Sequence, residues 1–304
     1  MNRRKAIKSF GVGLGMVTVS PIQVISKIDK PIPKKKGHLL RIAHITDVHL
    51  HSIDNVPNRF KNCIEEIKTH KIDFVLNGGD SIMAADYSHI TRESVNDQWK
   101  TWHNSISELS GYEIYSCLGN HDMWWAAPDK TDPMYGKDYV VKQLGIPNRY
   151  YGLSKMGWHF IVLDSNNKNA GSIDKEQWEW LENELNSLPS GTPVIMMSHY
   201  PILSATTIVG GGGNHTDAAE LAKLFYKHKD KKISSISGHM HMLDRTTYNN
   251  VDFYCNGSLS GFWWGEGDEN SAQKYWYLRT PPGYAILDLY NDGSMENSYC
   301  PHNF

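Results

Sequence analysis

The chain is poor in several features that would define its class at once. It has four cysteines in 304 residues, Cys63, Cys117, Cys255 and Cys300, and none forms a CxxC pair. That spacing points away from a zinc–thiolate site and leaves open whether these are disulfides or buried free thiols. No apolar run reaches the length of a membrane span. The formal net charge is only −2, too small for a dedicated nucleic-acid binder. There is no GxSxG and no Cx5R, so hydrolysis through a seryl or cysteinyl enzyme has no motif to stand on. No internal repeat is visible, and Gly210 to Gly213 is the one low-complexity tract, read as a flexible loop that could act as a flap.

What is abundant is histidine (15) and tryptophan (10). Histidine serves metals and proton transfer, and tryptophan serves cores and binding faces. Charge is also unevenly placed. Residues 1–36 hold nine Lys/Arg against a single acid, Asp29. They open with Arg3, Arg4, Lys5 and Lys8, followed by an uncharged stretch from Ser9 to Ser26. The layout reads as an export signal over 1–28 of twin-arginine type, with a linker over 29–37 and a domain over 38–304. The expected location is therefore extracytoplasmic, such as a periplasm.

From His38 onward short apolar runs alternate with helical periodicities. Strands are expected at 39–46, 73–77, 113–118, 149–153, 158–164, 193–198, 232–237, 251–256 and 284–290. Phe60, Cys63, Ile64 and Ile67 share one helical face, as do Val95, Trp99, Trp102, Ile106 and Leu109. Further helices are expected around 174–187 and 216–228. Strands outnumber helices, which favours a layered α/β (α+β) domain with two sheets over a simple doubly wound fold.

Five of the apolar runs end in residues able to bind metal. They are Asp47 and His49 after the first, Asp80 after the second, and Asn120-His121-Asp122 after the third. His199 follows the run at 193–198, and His239 and His241 follow that at 232–237. Carboxyl ends of strands are where α/β sheets place their sites. The set mixes carboxylate, imidazole and amide donors without thiolate, which suits Mn, Fe or Zn. It is too large for one tetrahedral ion and suits two ions sharing a carboxylate. On an extended backbone the pairs 47/49 and 239/241 would each point to one side.

In that order the motifs DxH, GD, GNHD, H and GHxH resemble those of the calcineurin-like metallophosphoesterase superfamily, and look most like its cyclic-nucleotide-phosphodiesterase-like branch. Met83 stands where purple acid phosphatases carry a tyrosine. The resemblance implies a four-layer fold, two mixed β-sheets packed face to face with helices outside. It also implies two divalent or mixed-valence transition-metal ions. One would be held by Asp47, His49, Asp80 and His241, the other by Asp80, Asn120, His199 and His239, with Asp80 as the bridge. His121 would be the catalytic histidine at the leaving oxygen and Asp122 the carboxylate orienting it. The implied activity is hydrolysis of a small-molecule phosphoric ester, nucleotide or lipid-derived, by in-line attack of a metal-bridging hydroxide. A phosphodiesterase is expected ahead of a phosphomonoesterase. A non-catalytic scaffold of the same fold is the rival of different class, and the complete ligand set argues against it. Trp124, Trp125, His215, Trp263 and Trp264 are candidates for contact with the substrate.

Overall fold

In the computed structural model, residues 37–167, 171–265 and 280–303 are described; the expected export segment and all of the linker but Gly37 lie outside them. The first sheet is built around β1 (His38–Ile45), whose apolar residues become fully buried towards its carboxyl end. β1 pairs in parallel with β2 (Phe74–Asn77), which pairs in parallel with β3 (Glu113–Ser116). On its other side β1 pairs antiparallel with β10 (Gly283–Tyr290), and β10 with β11 (Met295–Pro301). Parallel neighbours require a crossover. Here the crossovers carry α1 (Val56–Thr69) and α2 (Arg92–Ile106). Each buries the stripe read from its periodicity, Phe60, Cys63, Ile64 and Ile67 on α1, and Val95, Trp99 and Trp102 on α2. Phe60 and Trp102 stack between the two helices at 6.1 Å.

The second sheet has the order β4 (Tyr151–Lys155), β5 (Trp158–Val162), β6 (Pro193–Met197), β7 (Lys232–Ser237), β9 (Val251–Cys255) and β8 (Asp244–Tyr248). It is mixed, with β5, β6, β7 and β9 parallel and β4 and β8 antiparallel at the edges. Its residues alternate between two cores, as a period of two demands. Phe160, Val162, Ile195 and Met197 enter the core shared with the first sheet. Ile161, Val194 and Met196 enter a second core with Leu181 and Leu185 of α4 (Lys175–Ser187) and Leu221, Leu224 and Phe225 of α6 (Ala218–Lys227). The two sheets meet edge-to-face at Phe74 and Phe160, 5.4 Å apart. The result is the expected pair of facing mixed sheets with helices outside.

Four elements escape the periodicity. β8 (DRTTY) and β11 (MENSYCP) are polar edge strands with exposed residues at alternate positions. α3 (Lys137–Leu144) is short and α5 (Thr206–Gly210) is a single turn. The Gly210–Gly213 tract is exposed and open at Gly211 and Gly212 and in contact with neighbouring side chains at its two ends. A side chain at Gly213 would come within 3.2 Å of the His239 ring. All four cysteines are free thiols, Cys300 half-buried and the others buried. Among the described residues no helix is long and apolar enough to cross a membrane.

Candidate metal centre

The motif residues leave the carboxyl ends of β1, β2 and β3 in one sheet and of β6 and β7 in the other, so facing sheets bring them together. Their backbones are unusual. Asp47, His49, Asp80, His239 and His241 all have positive φ, between 47° and 67°. Left-handed backbone costs a non-glycine residue roughly 1–3 kcal/mol and persists where surroundings over-determine it. Interlocking bonds supply that here: Asp47 N–H donates to Gly79 O, His49 N–H to Asp80 O, and His239 N–H to the Asp47 carboxylate. Two glycines permit the close approach. A Cβ on Gly119 would lie 2.0 Å from Asp80 N, and one on Gly238 2.2 Å from Asp47 Oδ2.

The left-handed turns correct one expectation. The i, i+2 segments are not extended, while the implied division of 239 and 241 between the two ions holds. His241 joins Asp47 and His49, while His239 joins Asp80 and His199. Asn120 completes the second group, its Oδ1 3.0 Å from His199 Nε2. Asp80 Oδ2 lies 3.2 Å from His199 Nε2 and 3.8 Å from His49 Nε2, between the two groups. All seven residues read as ligands are thus assembled.

The donors fit cations on their own chemistry. His49 Nδ1 faces Met83 O, His199 Nδ1 faces Gly78 O, and His241 Nδ1 faces Gly261 O. A carbonyl only accepts, so each Nδ1 carries the hydrogen and Nε2 is left to bind metal. Yet His49 Nε2 and His241 Nε2 are 3.2 Å apart, with Asp47 Oδ1 3.3 Å from the latter. Converging lone pairs of this kind are a cation's ligand shell. Burial lowers His49 and His239 to about 3, keeping them neutral. Burial also opposes charge on His199, but Asp80 outweighs it and raises that ring to about 9.

His121 sits beside this centre. Its N–H donates to Asp80 Oδ1 at 2.8 Å, and its ring lies edge-on to His49 at 5.4 Å. The carboxylate on its ring is not Asp122. Asp86 Oδ1 approaches His121 Nδ1 at 2.6 Å. Burial disfavours the charged ring, and Asp86 and Asp80 together more than offset this, raising the His121 pKa. Asp122 is fully buried and accepts from the backbone N–H groups of Gly119, Asp80, Ser81 and Ile82. It clamps two motif loops together. Asp86 lies six residues past Asp80 in an ordinary loop, and no local pattern marks it.

The aromatic candidates separate. Trp263 stacks on His49 at 3.9 Å and 15° and meets His121 edge-on at 4.9 Å, covering the Asp47 side of the centre. Trp264 is buried behind it, its Nε1 donating to Val48 O at 2.7 Å. Trp124 is in the core, donating to Ile90 O, and is not placed to contact substrate as expected. His215 is buried against Asp217 at 2.9 Å and does not line the chamber beside the centre. That chamber has a volume of about 620 Å³ and is lined by Asn120, Asp86, Trp125, Lys137, Asn166 and Asn167, with Tyr200 below. Asn166 and Asn167 follow the end of β5, the same strand-then-polar pattern that marks the ligands, and could have been found by it.

Facing mixed sheets carrying two adjoining N/O donor clusters at strand carboxyl ends define a dinuclear metallohydrolase. The calcineurin-like phosphoesterase family model matches residues 40–243, and the chain belongs to that family. It is 20% identical over 230 residues to a probable glycerophosphodiester phosphodiesterase GpdQ of Arcobacter nitrofigilis, covering 69% of this chain and 75% of that protein. A dimetal phosphatase from Danio rerio has the same fold, with a TM-score of 0.61 and 13% identity over 86% of this chain and 96% of its own. A purple acid phosphatase from yellow lupin (Lupinus luteus) matches with a TM-score of 0.55 and 16% identity, covering 86% of this chain and 51% of its own. The chain is accordingly a metal-dependent phosphoester hydrolase using two divalent ions.

Proposed function

We propose that the chain is a phosphodiesterase. The observation that carries this is the charge of the chamber. Among its described lining residues Lys137 is the one cation, and its ammonium is 2.6 Å from buried Asp164. Asp86 brings a carboxylate to the same wall. A phosphomonoester dianion would meet little uncommitted positive charge beyond the metals, whereas a diester carries one negative charge and a second substituent that needs room. The name of the Arcobacter nitrofigilis relative supports the same reading.

Asp47, His49 and His241, with Asp80, would hold one ion; Asp80, Asn120, His199 and His239 would hold the other. When bound, such a pair supplies Lewis acidity, activating water and neutralising phosphoryl charge. His121, whose protonated form Asp86 and Asp80 favour, would donate its Nε2 proton to the departing alkoxide. Trp263 excludes water from the ring's flank and confines substrate to the chamber side. The test is kcat/KM of chain reconstituted with Mn(II) or Zn(II) on bis(p-nitrophenyl) phosphate against p-nitrophenyl phosphate. The diester should be preferred, and preference for the monoester would overturn the reading.

We also infer export, supported by the basic start and uncharged stretch of residues 1–28. Fractionation of the native host should find the protein outside the cytoplasm; a cytoplasmic product of full length would refute this.

A further inference from the structure

The chamber beside Asn120 has walls that are already fixed. The Asn166 amide N–H donates to Leu118 O at 2.8 Å, and that of Asn167 to Ile173 O at 3.3 Å. Both amide oxygens accept no hydrogen bond from any described residue. Lys137 is held by fully buried Asp164, which also takes Arg149 at 3.1 Å, and an ammonium with one hydrogen so committed has two left. Trp125 is set edge-on to Tyr135 at 5.3 Å and packs over Gly136, whose Cβ position is 3.3 Å from the indole. Asp86 lines the chamber and also holds the His121 ring through Nδ1, which sets the chamber on the Asp86 side of that histidine.

We propose that this chamber selects a polyhydroxy leaving alcohol, of glycerol or sugar type, and that Asn166, Asn167 and Lys137 are its specificity-determining residues; the inference rests on the phosphodiesterase reading. The two amide oxygens ask for O–H donors, and the ammonium asks for an oxygen acceptor. A vicinal diol presents both from adjacent carbons, and its C–H face suits the Trp125 indole. A quaternary ammonium has no hydrogen to give the amides. An alkyl or aryl group would leave polar groups of the wall unpaired, which costs affinity. An anionic substituent would face Asp86.

Three diesters sharing an ethyl group test this, with glycerol, n-propanol or p-nitrophenol as the leaving alcohol, on the full chain reconstituted with Mn(II). For the wild type, kcat/KM of the glyceryl ester should exceed that of the propyl ester by roughly 10–100-fold, about what two or three neutral hydrogen bonds supply. Asn166→Ala and Asn167→Ala should each shrink that ratio by about tenfold, chiefly through KM, and should lower the nitrophenyl ester's turnover much less. Metal content of each variant verifies the fold; if a variant loses metal, the wild-type ratio alone decides. A wild-type ratio near one, or variants that depress all three esters equally, overturns the proposal while leaving the phosphodiesterase reading intact. Failure of the wild type on every diester overturns that reading and this one with it.

Discussion

Asp86 Oδ1 and His121 Nδ1 are 2.6 Å apart, and this contact, rather than one from the adjacent Asp122, sets the orientation of the ring. Asp86→Asn removes one of the two carboxylate charges that favour protonated His121 while preserving shape. Both metals should remain bound, and kcat should fall by roughly 10–100-fold for alkyl leaving groups, less than the roughly 10²–10⁴-fold expected from loss of the general acid itself. The loss should shrink for a nitrophenol, which needs little protonation. An equal loss for both leaving groups would mean the pair acts on substrate position instead.

Asp122→Ala should behave in the opposite way. It strands four backbone N–H groups in a buried place. Each unsatisfied donor costs roughly 1–3 kcal/mol, so the total should exceed about 3 kcal/mol. A melt should show a fall in Tm on the order of 5–10 °C together with weakened metal binding. A variant with wild-type Tm and a loss confined to kcat would restore Asp122 to a direct role in the reaction.

Trp263 spends one face on His49. Stacked rings are worth about 0.5–1.5 kcal/mol. Trp263→Ala should therefore weaken one of the two ions by up to about tenfold in a metal titration, while the other is little changed. Unchanged affinities with a raised KM for bulky esters alone would show that Trp263 serves the substrate and not the ligand.

The ligands were legible because all seven fall within four residues of the carboxyl end of a buried strand, and strand ends converge in this architecture. The seven positions from Asp47 to His241 needed only the order of motifs. The backbone carrying them was not legible, since five left-handed residues are selected by the contacts of facing loops and not by local preference. Asp86 was missed for a related reason: its partnership with His121 exists only once the loops after β2 and β3 meet. Asp122 was misassigned because adjacency in sequence suggests adjacency of side chains, whereas its carboxylate satisfies backbone donors. Edge strands β8 and β11 carry too little apolar surface for periodicity to register.

The central claim is a pair of ions joined by Asp80. Its most direct measurement is metal content per chain by elemental analysis, alongside activity, for the wild type, His49→Ala and Asp80→Ala. The account predicts two ions in the active wild type. It predicts one, with activity largely lost, in His49→Ala, and loss of both tight sites in Asp80→Ala. Full activity with a single ion per chain, or two ions retained without Asp80, would contradict it.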